Sequence, residues 1–227
     1  MSRSSATPIQ AITFDVGGTL LDPWPSVGHI YAEVAAQHGI AGLDPVHLQQ
    51  RFVSAWSALP VFPHTRAEWS ALVDTTFLGL TAVPPSTTFF DPLYERFAFP
   101  ASWRLGDDVR PILDRLSATG LRLGVISDWD ERLRPLLQRF DLTRYFDPII
   151  VSCEAGYPKP DPRIFAAAAQ RWQLPPAAIL HVGDSPTLDV AGARDAGFRA
   201  VLLDRKAPVE SAGVIRSLMP LAGFVGA

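Results

Sequence analysis

The first residues in the chain equipped for chemistry lie between Ile9 and Asp22, in IQAITFDVGGTLLD. A β-prone run (Ile12, Thr13, Phe14) ends in Asp15, and a glycine pair, Gly17 and Gly18, and Thr19 follow. A short strand holds its terminal carboxylate rigidly, and glycines let backbone N–H groups approach an anion. Three later stretches carry reactive types in similar settings. Ser127 ends LRLGVIS, Lys159 stands between prolines in AGYPKPDPRIF, and Asp184 and Asp189 lie in HVGDSPTLDVAGARDAGF. Only two lysines occur in the chain, Lys159 and Lys206, so Lys159 stands out.

In order and spacing these four stretches resemble the motifs of the haloacid dehalogenase-like hydrolase superfamily, in its branch with a helical cap. The resemblance spans nearly the whole chain and implies a reaction. Asp15 would be a nucleophile that forms an aspartyl-phosphate. Mg²⁺ would be held by Asp15, the backbone carbonyl of Gly17 and Asp184, with Asp189 behind them holding metal waters or Lys159. Ser127, Lys159 and the backbone N–H groups of Gly18 and Asp128 would hold phosphate oxygens. The Asp128 carboxylate is expected to point away from a phosphate. The chain departs from the family at position 17, where most such phosphatases carry a second Asp that acts as general acid and base. Such help is worth roughly 10²–10⁴ in rate. A main-chain carbonyl is unaffected by the change, but Gly17 supplies no proton.

Four readings follow from that departure. One is a Mg²⁺-dependent phosphatase for small phosphomonoesters that prefers good leaving groups, or borrows an acid from His29, His64 or Glu68. The alternative is a phosphate- and Mg²⁺-binding or regulatory module that has lost turnover. A 2-haloacid dehalogenase is disfavoured, because that branch carries an aromatic at the second position and lacks the double-acid fourth motif. A phosphonate hydrolase needs an insert lysine, and residues 23–100 contain none.

The elements that must position these groups follow from periodicity. From Gly106 onward apolar strands alternate with helices. Strands are expected over 121–126, 149–152, 178–182 and 199–203, and helices over 107–119, 131–140, 161–172 and 186–196. Such a pattern implies a doubly wound parallel sheet, a Rossmann-like α/β core, with ligands outside the carboxyl ends of the strands. Residues 23–100 instead show helical spacing, over 27–38, 45–59, 65–80 and 86–97, and read as an inserted all-α cap closing over the site. The core domain is then 1–22 and 101–227, and the cap 23–100. The aromatic residues of the insert are expected to form the core of a small bundle and its seam with the next domain, with a few of them lining a substrate pocket as the alternative. The tail from Ala207 onward allows a final helix.

The chain has 227 residues and a net charge of −3, enough for one large or two modest cores. No basic stripe suggests nucleic acid as a partner, and no apolar run suits a membrane. One cysteine, Cys153, fits a reducing compartment. The expectation is a cytoplasmic monomer or homodimer acting on a small phosphorylated metabolite.

Overall fold

The computed structural model describes residues 7–59 and 62–224. The chain divides into two compact units. The first comprises Met1–Leu21, Leu105–Asp128 and Leu142–Ala227; the second comprises Asp22–Arg104 and Trp129–Asp141.

The first unit is built on a six-stranded sheet in the order β5-β4-β1-β6-β7-β8. The strands are β1 (Ala11–Phe14), β4 (Arg122–Ser127), β5 (Ile149–Val151), β6 (Ile179–Gly183), β7 (Arg199–Leu203) and β8 (Val214–Ile215). Every pairing in it is parallel. β2 (Leu21–Pro23) and β3 (Trp103–Leu105) pair as a separate ribbon where the chain leaves and re-enters this unit. All four residues of β1 are buried, as a parallel strand covered on both faces requires. The face of Ala11, Thr13 and Asp15 lies under α8 (Pro162–Trp172), whose Ile164, Phe165 and Ala168 join Ala11, Ile126 and Ile179 in one core. α5 (Val109–Ser117) packs on β4 and buries Val109, Ile112, Leu113 and Leu116. Fully burying side chains of this size contributes about 1.5–3 kcal/mol each. α8 starts where the sequence implies: Asp161 caps it, accepting from Arg163 N, and Pro162 occupies the first turn.

Two expectations are refined and a third is corrected. The helix foreseen over 186–196 is present but differs in winding: it is π-type over Pro186–Ala191 and continues as α9 (Gly192–Asp195). Both Asp189 N and Val190 N donate to the Ser185 carbonyl there. The final helix allowed for the tail is a 3₁₀ helix over Met219–Phe224, and it is preceded by β8, which was not expected; the last three residues lie outside the described ones. The correction concerns domain membership. Residues Trp129–Asp141, with α6 (Leu133–Arg139), belong to the helical unit and not to the sheet unit. A short turn, α7 (Ser152–Ala155), follows β5.

The helical unit contains α1 (Val27–Gln37), α2 (Pro45–Ser57), α3 (Arg66–Phe77) and α4 (Phe90–Arg96) as well as α6. Ser26, Asp44 and Thr65 cap the first three, Thr65 and Glu68 forming a reciprocal capping box. Its core joins Ile30, Tyr31, Leu48, Phe77, Phe89 and Leu93. α6 is tied in by Arg132. That guanidinium lies 3.6 Å from the centre of the Tyr94 ring, donates to the Tyr94 carbonyl at 2.8 Å and pairs with Asp130. Two aromatics escape the expected bundle core: Trp24 and Phe99 are 47% and 45% exposed. Among the described residues no helix is long and apolar enough to cross a membrane.

Candidate active site

Parallel register brings the reactive groups to one edge of the sheet. β1 sits between β4 and β6, with Phe14 level with Val125 on one side and Val182 on the other. Asp15, Ser127 and Asp184 therefore emerge side by side at the strand ends. Asp15 N still donates to the Val182 carbonyl at 2.9 Å, so the ladder holds the backbone of the acid in place.

The Asp15 carboxylate is oriented by two donors on one oxygen. Ser127 Oγ donates to Oδ1 at 2.9 Å and Lys159 Nζ donates to the same atom at 2.7 Å. Among the described residues no hydrogen bond reaches Oδ2, so that oxygen keeps its lone pairs. Lys159 Nζ also donates to Asp189 Oδ1 at 2.6 Å. Asp189 takes two further bonds: Ser185 N to Oδ2 at 2.9 Å, and His181 Nε2 to Oδ1 at 3.1 Å. Asp184 remains exposed at the rim. Ser185, not Asp184, caps the π-type turn, accepting from Leu188 N, which leaves the Asp184 carboxylate unspent. One oxygen each from Asp15, Asp184 and Asp189 lie within 4.8 Å of one another. That donor set is hard, anionic and all oxygen, which fits a divalent cation such as Mg²⁺. No hydrogen bond ends on the Gly17 carbonyl among the described residues, so it too can serve as an oxygen ligand.

The electrostatics follow from burial and crowding. Burial opposes the charge on Lys159, but Asp15, Asp189 and Asp128 outweigh it and hold the ammonium above its ordinary range. Burial also pushes Asp189 up; the Lys159 charge and the His181 hydrogen bond more than reverse this, and it stays ionised. For Asp15 burial wins over Lys159, helped by the Asp189 charge, and its carboxyl is raised. Asp184 is pushed up to about 7 by desolvation and by the charges of Asp15 and Asp189.

Two expectations fail here. The Gly18 N–H is already used, donating to the Leu21 carbonyl at 2.9 Å, so it has no hydrogen to offer a phosphate. What Gly18 provides is space. Its φ is +78°, and a Cβ there would stand 2.4 Å from Asp184 Oδ2. Nor does the Asp128 carboxylate turn away. It accepts from Lys159 N at 2.9 Å and braces the loop that carries the lysine. Burial pushes it up to about 6 despite Lys159. The Asp128 N–H, by contrast, has no acceptor among the described residues.

The three acids considered in the helical unit have local duties. Glu68 completes the capping box of α3. His29 Nδ1 lies 2.8 Å from Ser26 Oγ. His64 is buried against the rings of Trp56, Phe62 and Trp69. The residue that motif reading passes over is His181, wholly buried beneath Asp189 and bonded to Thr13.

Comparison with known proteins bears on the family and the fold. A family model described as haloacid dehalogenase-like hydrolase matches residues 9–197. The mouse haloacid dehalogenase-like hydrolase domain-containing protein 3 is 34% identical over 93% of this chain and 88% of its own. A crystal structure of a HAD phosphatase from Thermococcus onnurineus superposes with a TM-score of 0.70 at 26% identity, covering 96% of this chain and 98% of that one. The L-2-haloacid dehalogenase from Xanthobacter autotrophicus shares the fold equally well, with a TM-score of 0.72 over 96% and 98% of the two chains at 20% identity. The fold is thus common to proteins of different named activities.

Proposed function

The chain belongs to the haloacid dehalogenase-like hydrolases, and we propose that it is a Mg²⁺-dependent phosphatase of a small phosphomonoester, working in the cytoplasm. The observation that carries this reading is the Asp15 carboxylate: one oxygen is pinned by Ser127 and Lys159, the other is bare, and Asp184 stands beside it. Asp15 Oδ2 attacks phosphorus, and the ester P–O bond breaks with its electron pair going to the leaving oxygen. The aspartyl-phosphate that results is hydrolysed by water attacking phosphorus, which returns the Asp15 carboxylate and inorganic phosphate. Asp15, the Gly17 carbonyl and Asp184 would hold Mg²⁺, whose charge offsets repulsion between carboxylate and phosphate. Lys159, Ser127 and the Asp128 N–H hold phosphoryl oxygens and keep the nucleophile aligned. With Gly17 no acid protonates the leaving oxygen, so aryl and acyl phosphates are favoured over alkyl ones.

The test is phosphate release from an aryl and an alkyl phosphate, with and without Mg²⁺. Wild type should cleave the aryl ester with Mg²⁺, and Asp15→Asn should not. Gly17→Asp should raise alkyl turnover by roughly 10²–10⁴. Equal cleavage of both esters by wild type would mean that another group supplies the proton. Gly17 also favours a second reading, a phosphate- and Mg²⁺-binding module without turnover. Its signature is a melting temperature raised by Mg²⁺ and a phosphate mimic while no phosphate is released. Halide release from a 2-haloacid without added metal would overturn both.

A further inference from the structure

Thr13 and His181 are each the one polar side chain inside an otherwise apolar buried strand, β1 (AITF) and β6 (ILHVG). They are direct partners across the sheet, and both are 0% exposed. Thr13 lies two residues before Asp15, hence on the same face. Thr13 Oγ1 is 2.9 Å from His181 Nδ1, and His181 Nε2 is 3.1 Å from Asp189 Oδ1. The ring of Phe165 in α8 stands edge-on to the imidazole, with 5.2 Å between centroids, so the imidazole cannot swing. Asp189 Oδ1 accepts from the Lys159 ammonium and Oδ2 from the Ser185 N–H, so the bond to Nε2 takes its hydrogen from the ring. With a neutral ring Nδ1 is then the acceptor and the Thr13 hydroxyl the donor.

Resting on the phosphatase reading, we propose that His181 is a positioning residue for this site: it fixes the oxygen of Asp189 that in turn places Lys159 against Asp15. The chain of contacts is unbroken. Thr13 donates to His181 Nδ1, His181 Nε2 donates to Asp189 Oδ1, and the same oxygen accepts from Lys159 Nζ at 2.6 Å, which reaches Asp15 Oδ1 at 2.7 Å. Gly183 lies directly beneath Asp189, where a Cβ would stand only 2.2 Å from Asp189 Cγ. The Ser185 N–H fixes one oxygen, and among the described residues His181 is the only side chain besides Lys159 bonded to the other. Without His181 the carboxylate can rotate about its remaining bond, and Lys159 loses a fixed partner. Partners of this kind, one contact removed from the reacting atoms, typically affect activity or metal affinity by about 10–100-fold.

Two substitutions separate positioning from packing. His181→Phe keeps a ring of similar volume and removes the donor to Asp189. His181→Gln keeps an N–H near the position of Nε2. The His181→Phe variant should lose roughly 10–100-fold in kcat on an aryl phosphate with Mg²⁺, and His181→Gln should recover most of that loss, with both variants folded at the assay temperature. Equal impairment of the two variants, or a loss that tracks their melting temperatures, would leave His181 as packing alone. A second readout does not need turnover. In ¹⁵N-histidine-labelled protein, the His181 resonances, assigned by their disappearance in His181→Gln, should report hydrogen on Nε2 and an accepting Nδ1. The opposite tautomer would overturn the inference even if the enzyme is active. The expected tautomer in a protein that releases no phosphate would instead count against the phosphatase reading while leaving the contact chain intact.

Discussion

Replacing Lys159 by Met tests the charge balance on which the site depends. The ammonium donates to Asp15 at 2.7 Å and Asp189 at 2.6 Å, and all three side chains are less than a tenth exposed. Methionine keeps an unbranched stem, so little packing is lost. What disappears is the one positive charge between two buried carboxylates. Removing one partner of a buried ion pair costs roughly 3–5 kcal/mol. For a chain of this size each kcal/mol shifts the melting temperature by about 2–4 °C, so a fall of about 6–20 °C is expected. Adding Asp15→Asn then removes one of the stranded charges. The double variant should be more stable than Lys159→Met alone, with a coupling of about 1–3 kcal/mol, as expected for groups in one network. The assay is urea and thermal unfolding of the four proteins of the cycle, with a chelator present so that no cation replaces the ammonium. A Lys159→Met loss below about 1 kcal/mol, or an Asp15→Asn change that adds to it, would refute the reasoning, because such small or additive effects belong to exposed pairs.

Two further predictions use the geometry elsewhere in the sheet unit. Gly18→Ala would place a methyl group 2.4 Å from Asp184 Oδ2 at a φ of +78°; Asp184 is exposed and can swing out, so only about 1–2 kcal/mol of backbone strain should be lost, while Mg²⁺ affinity, read by calorimetry, should fall at least about tenfold. Unchanged affinity would remove Asp184 from the metal site. Asp108 is pushed up by burial but held below the usual carboxylate range by hydrogen bonds from Arg205 and Leu218 N. A depressed folded value stabilises above the unfolded one, about 3.9, and the gain fades as pH falls through the folded value. Asp108→Asn should therefore be less stable than wild type in urea at pH 7, with the gap narrowing toward pH 3; a gap that widens in acid would contradict the sign.

The strands that carry Asp15, Ser127 and Asp184 were legible within one or two residues, because each is an apolar run that stops at a polar group. Arg199–Leu203 appears as read. The short pieces β2, β3 and β8 were not, since two or three residues carry no period and exist by pairing alone. Helical spacing over 186–196 shows an apolar face but not the extra residue per turn that makes the segment π-type. That extra residue buries Asp189 and turns its carboxylate back to Ser185 N; π-type turns often mark functional sites for such reasons. The membership of α6 depends on Arg132 finding Tyr94, 38 positions away in sequence, which no local pattern encodes. Asp128 was misjudged because the need of the Lys159 N–H for an acceptor appears only in the folded loop. His181 did leave a signal: one polar residue in each of two apolar strands. That they lie level is known only once the register is.

Charge separates the activities that share this fold. Asp15, Asp128, Asp184 and Asp189 gather around a single ammonium, Lys159. Two like charges about 4 Å apart repel by about 4 kcal/mol at an effective dielectric constant of 20, so the cluster favours a cation. A phosphate dianion brings two further negative charges and cannot approach such a site unaccompanied. In the proposed reaction Mg²⁺ would relieve the crowding and admit the substrate at once, and removing it should therefore abolish binding as well as turnover. Displacing halide from a 2-haloacid makes different demands. The substrate is a monoanion, the leaving group departs as an anion without a proton, and extra carboxylates at the nucleophile only oppose both. Gly17 fits either reaction, since it withholds only a proton. It is Asp184, left unspent by the Ser185 cap and given room by Gly18, that argues for phosphoryl transfer.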